Sequence, residues 1–348
     1  MADSPSPAAV TISAIAAEAG VSAPTVSRVL NGRGDVAPAT RERIEGLLRT
    51  RGYRRRGSKA GDKAGEMVGL LDLVFNDLDS PWAVEIIRGV EDAAHDAGSG
   101  IVVSAIHRRA SSTRQWLRNV RSRTSDGAVL VTTDLDSSLR AELDELHVPA
   151  VVIDPVGVPD LAVPTIGSTN WAGGLSAVDH LISRGHRRIG FVAGRPELWC
   201  SRARLDGYRA GLETAGLDVD PDLVVPGEFD YESGFRAGEH LFGLADPPTA
   251  VFSASDQMTL GVYEALRRRG LRVPADVSVI GFDDLPEARW ASPPLTTVRQ
   301  PLADMGRLAV RTVHRLVRGE AIESPRVELA TELVVRDSTA AVPGRVSG

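Results

Sequence analysis

Short apolar runs alternate with amphipathic stretches along most of this chain. From Met67 onward the runs "MVGLLDLVF", "GIVVSAI", "GAVLVTT" and "PAVVID" lack the apolar–polar alternation of a half-exposed strand, so they predict strands buried on both faces. Between them "AVEIIRGVEDAAHDAG" and "LRAELDELHV" carry apolar residues at helical spacing. The same rhythm continues through "AGGLSAVDHLISRG", "RRIGFVAG", "RARLDGYRAGLETAG", "PTAVFSAS", "QMTLGVYEALRRRG" and "VSVIGF". Several helical stretches end in glycine, the residue that closes a helix in the left-handed conformation. Strand and helix in turn predict an α/β protein with parallel sheets. Roughly 270 residues of such units exceed one doubly wound sheet, so two stacked α/β subdomains are expected.

The N-terminal part reads differently. Ile12, Ile15, Ala16 and Ala19 stand at helical spacing, and Gly20 supplies a sharp turn before Val21. Ser22 is placed to cap a second helix with Pro24 in its first turn, where a missing N–H costs nothing. That helix turns Val26, Val29 and Leu30 inward and leaves Thr25, Ser27 and Arg28 outward; a third, "ATRERIEGLLRTRGY", turns Ile44, Leu47 and Leu48 inward. Three short helices with a glycine turn between the first two predict a helix-turn-helix unit. Short hydroxyls and a guanidinium on the outer face suit bases and phosphates in a major groove. The segment "RRRGSKAGDKAGE", Arg54 to Glu66, is rich in glycine and charge without apolar periodicity, and reads as a linker.

Composition narrows the class. At 348 residues and 43% hydrophobic, the chain can bury two or three cores. The single cysteine, Cys200, excludes an internal disulfide framework and a cysteine-based zinc site, and fits a reduced compartment. The seven histidines form no HxxxH or HxxE pair, so neither a metal nor another cofactor is expected. No apolar run approaches the ~18 residues of a membrane span. The start "MADSPSPAAVTISAIAAEAG" lacks the basic end and apolar core of a signal peptide, so a cytoplasmic, nucleoid-associated protein is expected. Residues 1–63 carry 11 Arg/Lys against 6 Asp/Glu, the remainder 29 against 40. A basic head on an acidic body predicts that the head alone meets a polyanion.

The string "TISAIAAEAGVSAPTVSRVLNG…VAPATRERI…RGY" closely resembles the headpiece of the LacI/GalR family of bacterial transcriptional repressors. The body stretches "HLISRGHRRIGFVAG", "SRARLDGYRAGL", "ASDQMTLGVYEALRRRGLRVPADVSVIGFDD" and "SPPLTTVRQP" resemble that family's effector-binding domain, so the likeness spans nearly the whole chain. It implies a homodimer whose heads read a pseudo-palindromic DNA operator, and a two-lobed sensor with the fold of periplasmic sugar-binding proteins. By position it places Ser22, Thr25, Ser27, Arg28 and Asn31 at DNA contacts, Thr40 and Tyr53 at phosphate or supporting contacts, and Ala23 and Pro24 where operator choice is often set. Neither of these last two offers a side-chain donor, so reading there would be by apolar contact or DNA shape. The linker departs from the family, whose hinge usually inserts a leucine into the minor groove: Gly57 to Gly65 has three glycines and no leucine. Either the hinge works differently here or DNA is kinked less. The third helix starts at Ala37-Pro38 where the family often has a capping serine.

The expected division is a tail over 1–10, the helix-turn-helix domain over 11–56, the linker over 57–66, an effector-binding and dimerisation domain over 67–340, and a tail over 341–348. Within the body an N-lobe of about 67–165 and 298–327 faces a C-lobe of about 166–297 and 328–340. Ligands of open α/β sheets bind beyond the carboxyl ends of strands. Those ends bring Phe75 with Asn76 and Asp77, Asp154, Asp256, and Asp283 with Asp284 toward one cleft, where carboxylates and amides suit the hydroxyls of a sugar. Trp82 and Phe229 offer flat faces for a sugar ring and point to a xylo- or gluco-disaccharide. The resemblance singles out Arg204 and Asp283 as holding effector hydroxyls, and sets Ser255 where some members have asparagine. Gln300, on a strand crossing between lobes, is a further candidate contact.

An enzyme is the competing class for an α/β chain. There is no GxGxxG after the first strand, no GxxxxGK[ST], no GxSxG and no credible triad. A freestanding sugar-binding protein would need export and no basic head. The expectation is a repressor of carbohydrate-utilisation genes that releases its operator on binding sugar, with a corepressor-dependent regulator as the alternative. The C-terminal "ELVVRDSTAAVPGRVSG" has no leucine heptads, so a coiled-coil tetramer is not expected.

Overall fold

The computed structural model describes residues 11–30, 36–51, 68–132, 137–156 and 163–342. The linker and the candidate residues Asn31 and Tyr53 fall outside them, as does the side chain of Leu30. The chain divides into an N-terminal unit ending at Gly61 and a larger unit from Asp62.

The small unit has three helices, α1 (Ile12–Ala19), α2 (Ala23–Leu30) and α3 (Pro38–Thr50). Thr11 caps α1 by accepting the Ala14 amide at 3.2 Å. Gly20 closes the helix with φ 65°, a backbone that a side chain would strain, and so turns the chain into α2. Ile15, Ala16, Ala19, Val26, Val29 and Ile44 form the core, with Ile12, Leu47 and Leu48 packed around it. Arg51, just past α3, pairs with Glu18 of α1 at 2.9 Å.

The large unit begins with an N-lobe in which β1 (Leu70–Phe75), α4 (Pro81–Asp96), β2 (Gly100–Ala105), α5 (Ala110–Arg123), β3 (Gly127–Val131), α6 (Ser137–Glu145), β4 (Ala150–Ile153) and β5 (Thr165–Ser168) follow in order. A C-lobe continues with α7 (Asn170–Ser183), β6 (Ile189–Val192), α8 (Trp199–Thr214), β7 (Val224–Val225), α9 (Tyr231–Leu241), β8 (Ala250–Ser253), α10 (Asp256–Arg268), β9 (Ser278–Asp283), α11 (Pro286–Trp290) and β10 (Thr296–Arg299). The chain returns to the N-lobe for α12 (Leu302–Val317) and β11 (Arg326–Leu329), and ends its strands with β12 (Glu332–Val334) in the C-lobe.

Both sheets have six strands, ordered β2-β1-β3-β4-β5-β11 and β7-β6-β8-β9-β10-β12. Every pairing is parallel except β10 with β12, and the register places Phe75 beside Ala105 and Val131. Strand order reverses beside β1 in one lobe and β6 in the other, and the crevice for a ligand opens at such points. Crossings between lobes fall after Ser168, Gln300 and Leu329, two or three residues later than expected, because β5 pairs within the first sheet, β10 within the second, and β11 beside β5. Helices cover both sheet faces. In the N-lobe α4 and α12 bury Ile86, Val90, Met305 and Val310 on one face, and α5 and α6 bury Trp116, Leu117, Leu139 and Leu143 on the other. The C-lobe core runs through Phe191, Tyr208, Phe252 and Phe282.

Candidate functional site

The carboxyl ends of both sheets line an open cleft with a cavity of about 200 Å³ between the lobes. From the N-lobe come Phe75, Asn76 and Asp77 after β1, Ser80 and Trp82 at the start of α4, Thr132 after β3 and Asp154 after β4. The C-lobe supplies Arg195 after β6, Arg204 of α8, Glu228 and Phe229 before α9, Ser255 and Gln257 at α10, and Asp283 at the end of β9. Thus Phe75, Trp82, Asp154, Arg204, Phe229, Ser255 and Asp283, expected from the sequence, meet in one place.

Arg204 is the centre of the C-lobe wall and is 3% exposed. Its Nε donates to Asn170 Oδ1 at 2.8 Å and Nη1 to the Ala254 carbonyl at 2.6 Å, while Asp283 Oδ1 lies 3.7 Å away. The guanidinium sits 3.8 Å over the Phe282 ring and 5.8 Å from that of Phe229. Phe229 itself has φ 66°, and its ring fills the space a Cβ on Gly194 would need. That combination of an unusual backbone and a glycine seat fixes an aromatic face at the cleft.

The carboxylates are poised close to neutrality. Burial pushes Asp154 up to about 6, against the pull of Arg204. Burial also pushes Asp283 up to about 7, opposed by Arg204 and by the hydrogen bond from Gln300. Two strand-end acids beside one guanidinium can accept paired hydroxyl hydrogen bonds, and Trp82 and Phe229 supply the apolar faces that a sugar ring covers.

Two expected contacts lie elsewhere. Asp256 is buried behind the cleft wall, where it accepts the Leu285 amide at 2.9 Å and the Thr297 hydroxyl at 2.6 Å. It braces α10 against β9 and β10. Gln300 is also absent from the lining: it accepts from Ser168 at 2.7 Å and donates to Asp283 at 2.6 Å, so it ties the N-lobe sheet to the cleft acid. Asp284 is taken up by Arg299 at 2.7 Å and by Arg336. Ser255 lines the cleft while capping α10 through the Met258 amide at 3.2 Å.

The sequence reading did not single out Arg108, Arg195, Glu228 or Gln257. Arg195 and Glu228 pair at 3.0 Å along the cleft. Across it, Ser80 donates to Gln257 at 2.9 Å and Arg108 approaches Glu197 at 3.7 Å. Arg195 follows a strand in "VAGRPE", which was a usable signal; the others lie on loops and helix starts that only the closing of two lobes brings together.

In the small unit, Ser22, Pro24 and Arg28 are exposed and Ala23, Thr25, Ser27 and Thr40 half-buried. Ser22 stands 2.9 Å from the Thr25 hydroxyl and accepts the Thr25 amide at 3.4 Å, so it caps α2 and remains on the outer face. Ala23 packs against the core, which leaves it less surface to offer a base than Pro24 has. Among the described residues no helix is long and apolar enough to cross a membrane and no cluster of side chains could hold a metal ion.

Residues 11–56 match the lacI family of bacterial regulatory proteins, and residues 178–339 match the periplasmic binding protein-like domain. The transcriptional repressor CytR of Escherichia coli strain K12 is 34% identical over 335 residues, which is 96% of this chain and 98% of CytR. The transcriptional regulator CelR of Thermobifida fusca is 37% identical over 333 residues, 94% of this chain and 98% of CelR. Among solved structures, a CelR–cellobiose complex superposes with a TM-score of 0.73 at 36% identity, covering 94% of this chain and 99% of that one. The lac repressor dimer bound to operator and the anti-inducer ONPF gives 0.70 at 28% identity, covering 95% and 99%. Head, two-lobed body and full-length likeness agree: the chain belongs to the LacI family of bacterial regulatory proteins.

Proposed function

We propose that this protein is an operator-binding repressor of carbohydrate-utilisation genes whose inter-lobe cleft senses a sugar and, on filling, releases DNA. The cleft carries this reading: acids and an arginine at strand ends, with Trp82 and Phe229 beside them, suit a neutral polyhydroxylated ring. Two separate aromatic faces, Trp82 and Phe229, favour a disaccharide over a single ring.

On the DNA side, the outer face of α2 supplies Ser22, Pro24, Thr25, Ser27 and Arg28 to the major groove, with Ala23 behind them and Thr40 toward the backbone. Asn31 and Tyr53 join them by sequence position. A second copy of the chain completes a two-headed reader of a pseudo-palindromic site. Sugar then closes the cleft, changes how the paired N-lobes face one another and uncouples the heads. Coupling of this kind is typically worth about 1–3 kcal/mol.

The test is a gel-shift titration on DNA upstream of the protein's own gene and its neighbours, with a panel of mono- and disaccharides. Specific binding released by one sugar is expected. Specific binding that tightens with sugar would make the ligand a corepressor, and specific binding indifferent to every sugar would refute the cleft chemistry.

A further inference from the structure

We propose that Gln300 is a positioning residue for the effector: its amide holds Asp283 as an oriented acceptor at the cleft, and its anchor on Ser168 makes that hold depend on the hinge between the lobes. This rests on the sugar-sensing reading above and names the residue that ties the hinge to the site.

Gln300 follows β10 at the second crossing between lobes, is buried, and does not itself line the cleft. It is bound to Asp283 twice, by its backbone amide to the Asp283 carbonyl at 3.2 Å and by Nε2 to Oδ1 at 2.6 Å. A carboxylate only accepts, so the second bond fixes which end of the side-chain amide is nitrogen and leaves Oε1 to accept the Ser168 hydroxyl at 2.7 Å. Asp283 has φ 125° and Asp284 after it φ 59°, conformations that a side chain strains. Such a backbone persists only where partners over-determine it. Here they are the two bonds from Gln300 and the Arg204 guanidinium, 3.7 Å from the same Oδ1.

The other end of the relay lies in the first crossing. Ser168 ends β5 in the N-lobe sheet, and beside it the Thr169 hydroxyl lies 3.0 Å from that of Thr331 in the third crossing. The crossings are thus laced together, and Ser168–Gln300–Asp283 carries the lacing on to the cleft. When lobes rotate, the crossing backbones absorb the change, so the grip of Ser168 on Gln300 follows the lobe angle.

A sugar hydroxyl donates to ionised Asp283, so affinity should rise with pH through the value at which that acid ionises in the free protein, about 7. Burial raises this value, while Arg204 and the Gln300 bond oppose it. The other groups facing Asp283 are Cys200 of α8, Asp256 of α10 and Asp154 from the N-lobe; Asp284 is taken up by Arg299 and Arg336. Removing the Gln300 donor should therefore move the midpoint upward.

The experiment titrates cellobiose, then the other sugars of the panel, into the full chain by calorimetry between about pH 5.5 and 9. In the parent, affinity should rise with pH and level off above about 8. In Gln300→Met the midpoint should move up by about one pH unit, making binding about fivefold weaker at pH 7 and close to the parent's by about pH 9. Ser168→Ala should shift it in the same direction and add nothing in the Gln300→Met background, because both act on one acid. Loss of affinity by the same factor at every pH, with the midpoint unmoved, would overturn the proposal and leave Gln300 a strut between lobes. Independent effects of the two substitutions would overturn it too. If the parent bound no sugar at any pH, the sugar-sensing reading itself would fall, and this inference with it.

Discussion

Arg204 holds the cleft wall together as well as facing it. Replacing it with alanine should abolish release by sugar while operator binding persists in gel shifts. The same change strips buried Asp283 and Asn170 of their partner, so the body should also lose about 3 kcal/mol in denaturant unfolding. Asp154 gives a pH signature. An exposed carboxyl ionises near 3.8, whereas buried Asp154 is pushed up to about 6. Below pH 3.8 both states are protonated; above it the unfolded chain ionises first, so this group lowers stability as pH rises through its folded value. The penalty reaches about 3 kcal/mol by pH 8. Asp154→Asn should therefore be more stable than the parent at pH 8, the gap closing by about pH 4, as read from urea midpoints. At this scale the sequence distinguished Arg204 and Asp283 because they sit in recognisable strings. It did not separate Asp154 from Asp256. Both follow apolar runs, and only the Thr297 hydroxyl, far downstream, turns Asp256 into an internal brace.

Among the elements, α7 and α8 show how the wall is positioned. A Cβ on Gly207 would lie 2.2 Å from the Trp171 carbonyl oxygen, and one on Gly174 2.6 Å from that of Arg204, so the two helices touch backbone to backbone. Gly207→Ala should push α8 outward and cost about 1–3 kcal/mol in unfolding experiments. Because Arg204 rides on α8, calorimetry should also show weakened sugar binding, with DNA affinity intact. The buried strands were legible as unbroken apolar runs, and most helices as periodic stretches closed by glycine. Less legible was α5, because only Trp116, Leu117 and Val120 face inward among arginines and serines. Strands β5 and β11, "TIGS" and "RVEL", carry no apolar run at all; β5 is held between β4 and β11, and β11 is a strand because β5 lies beside it. Helix α12 has its apolar residues Leu302, Met305, Ala309, Val310 and Val313 at regular spacing, a pattern that marks a helix in the sequence.

Over the whole molecule, the lobes are bridged across the mouth of the cleft by the half-buried pair Ser80–Gln257, the exposed pair Arg108–Glu197 and a backbone bridge between Val156 and Leu198. An exposed ion pair contributes about 0–1 kcal/mol and a neutral hydrogen bond about 0.5–1.5 kcal/mol, so the closed and open forms differ by little and a ligand can decide between them. Ser80→Ala combined with Glu197→Gln should enlarge the unliganded protein in small-angle scattering, and saturating sugar should restore the parent's dimensions. Two stacked α/β bodies were readable from the alternation of strands and helices, but the crossings between them were not, because each depends on which sheet a short strand joins. Contacts between lobes were not, since they depend on how far the lobes close. The three crossings between lobes carry a consequence for synthesis. On a ribosome the N-lobe cannot finish until α12 and β11 emerge, nor the C-lobe until β12 does, whereas among the described residues the small unit has its core by Leu48 and the Glu18 pair by Arg51. The three helices of the part that reads DNA are made while most of the part that governs it is still to be translated.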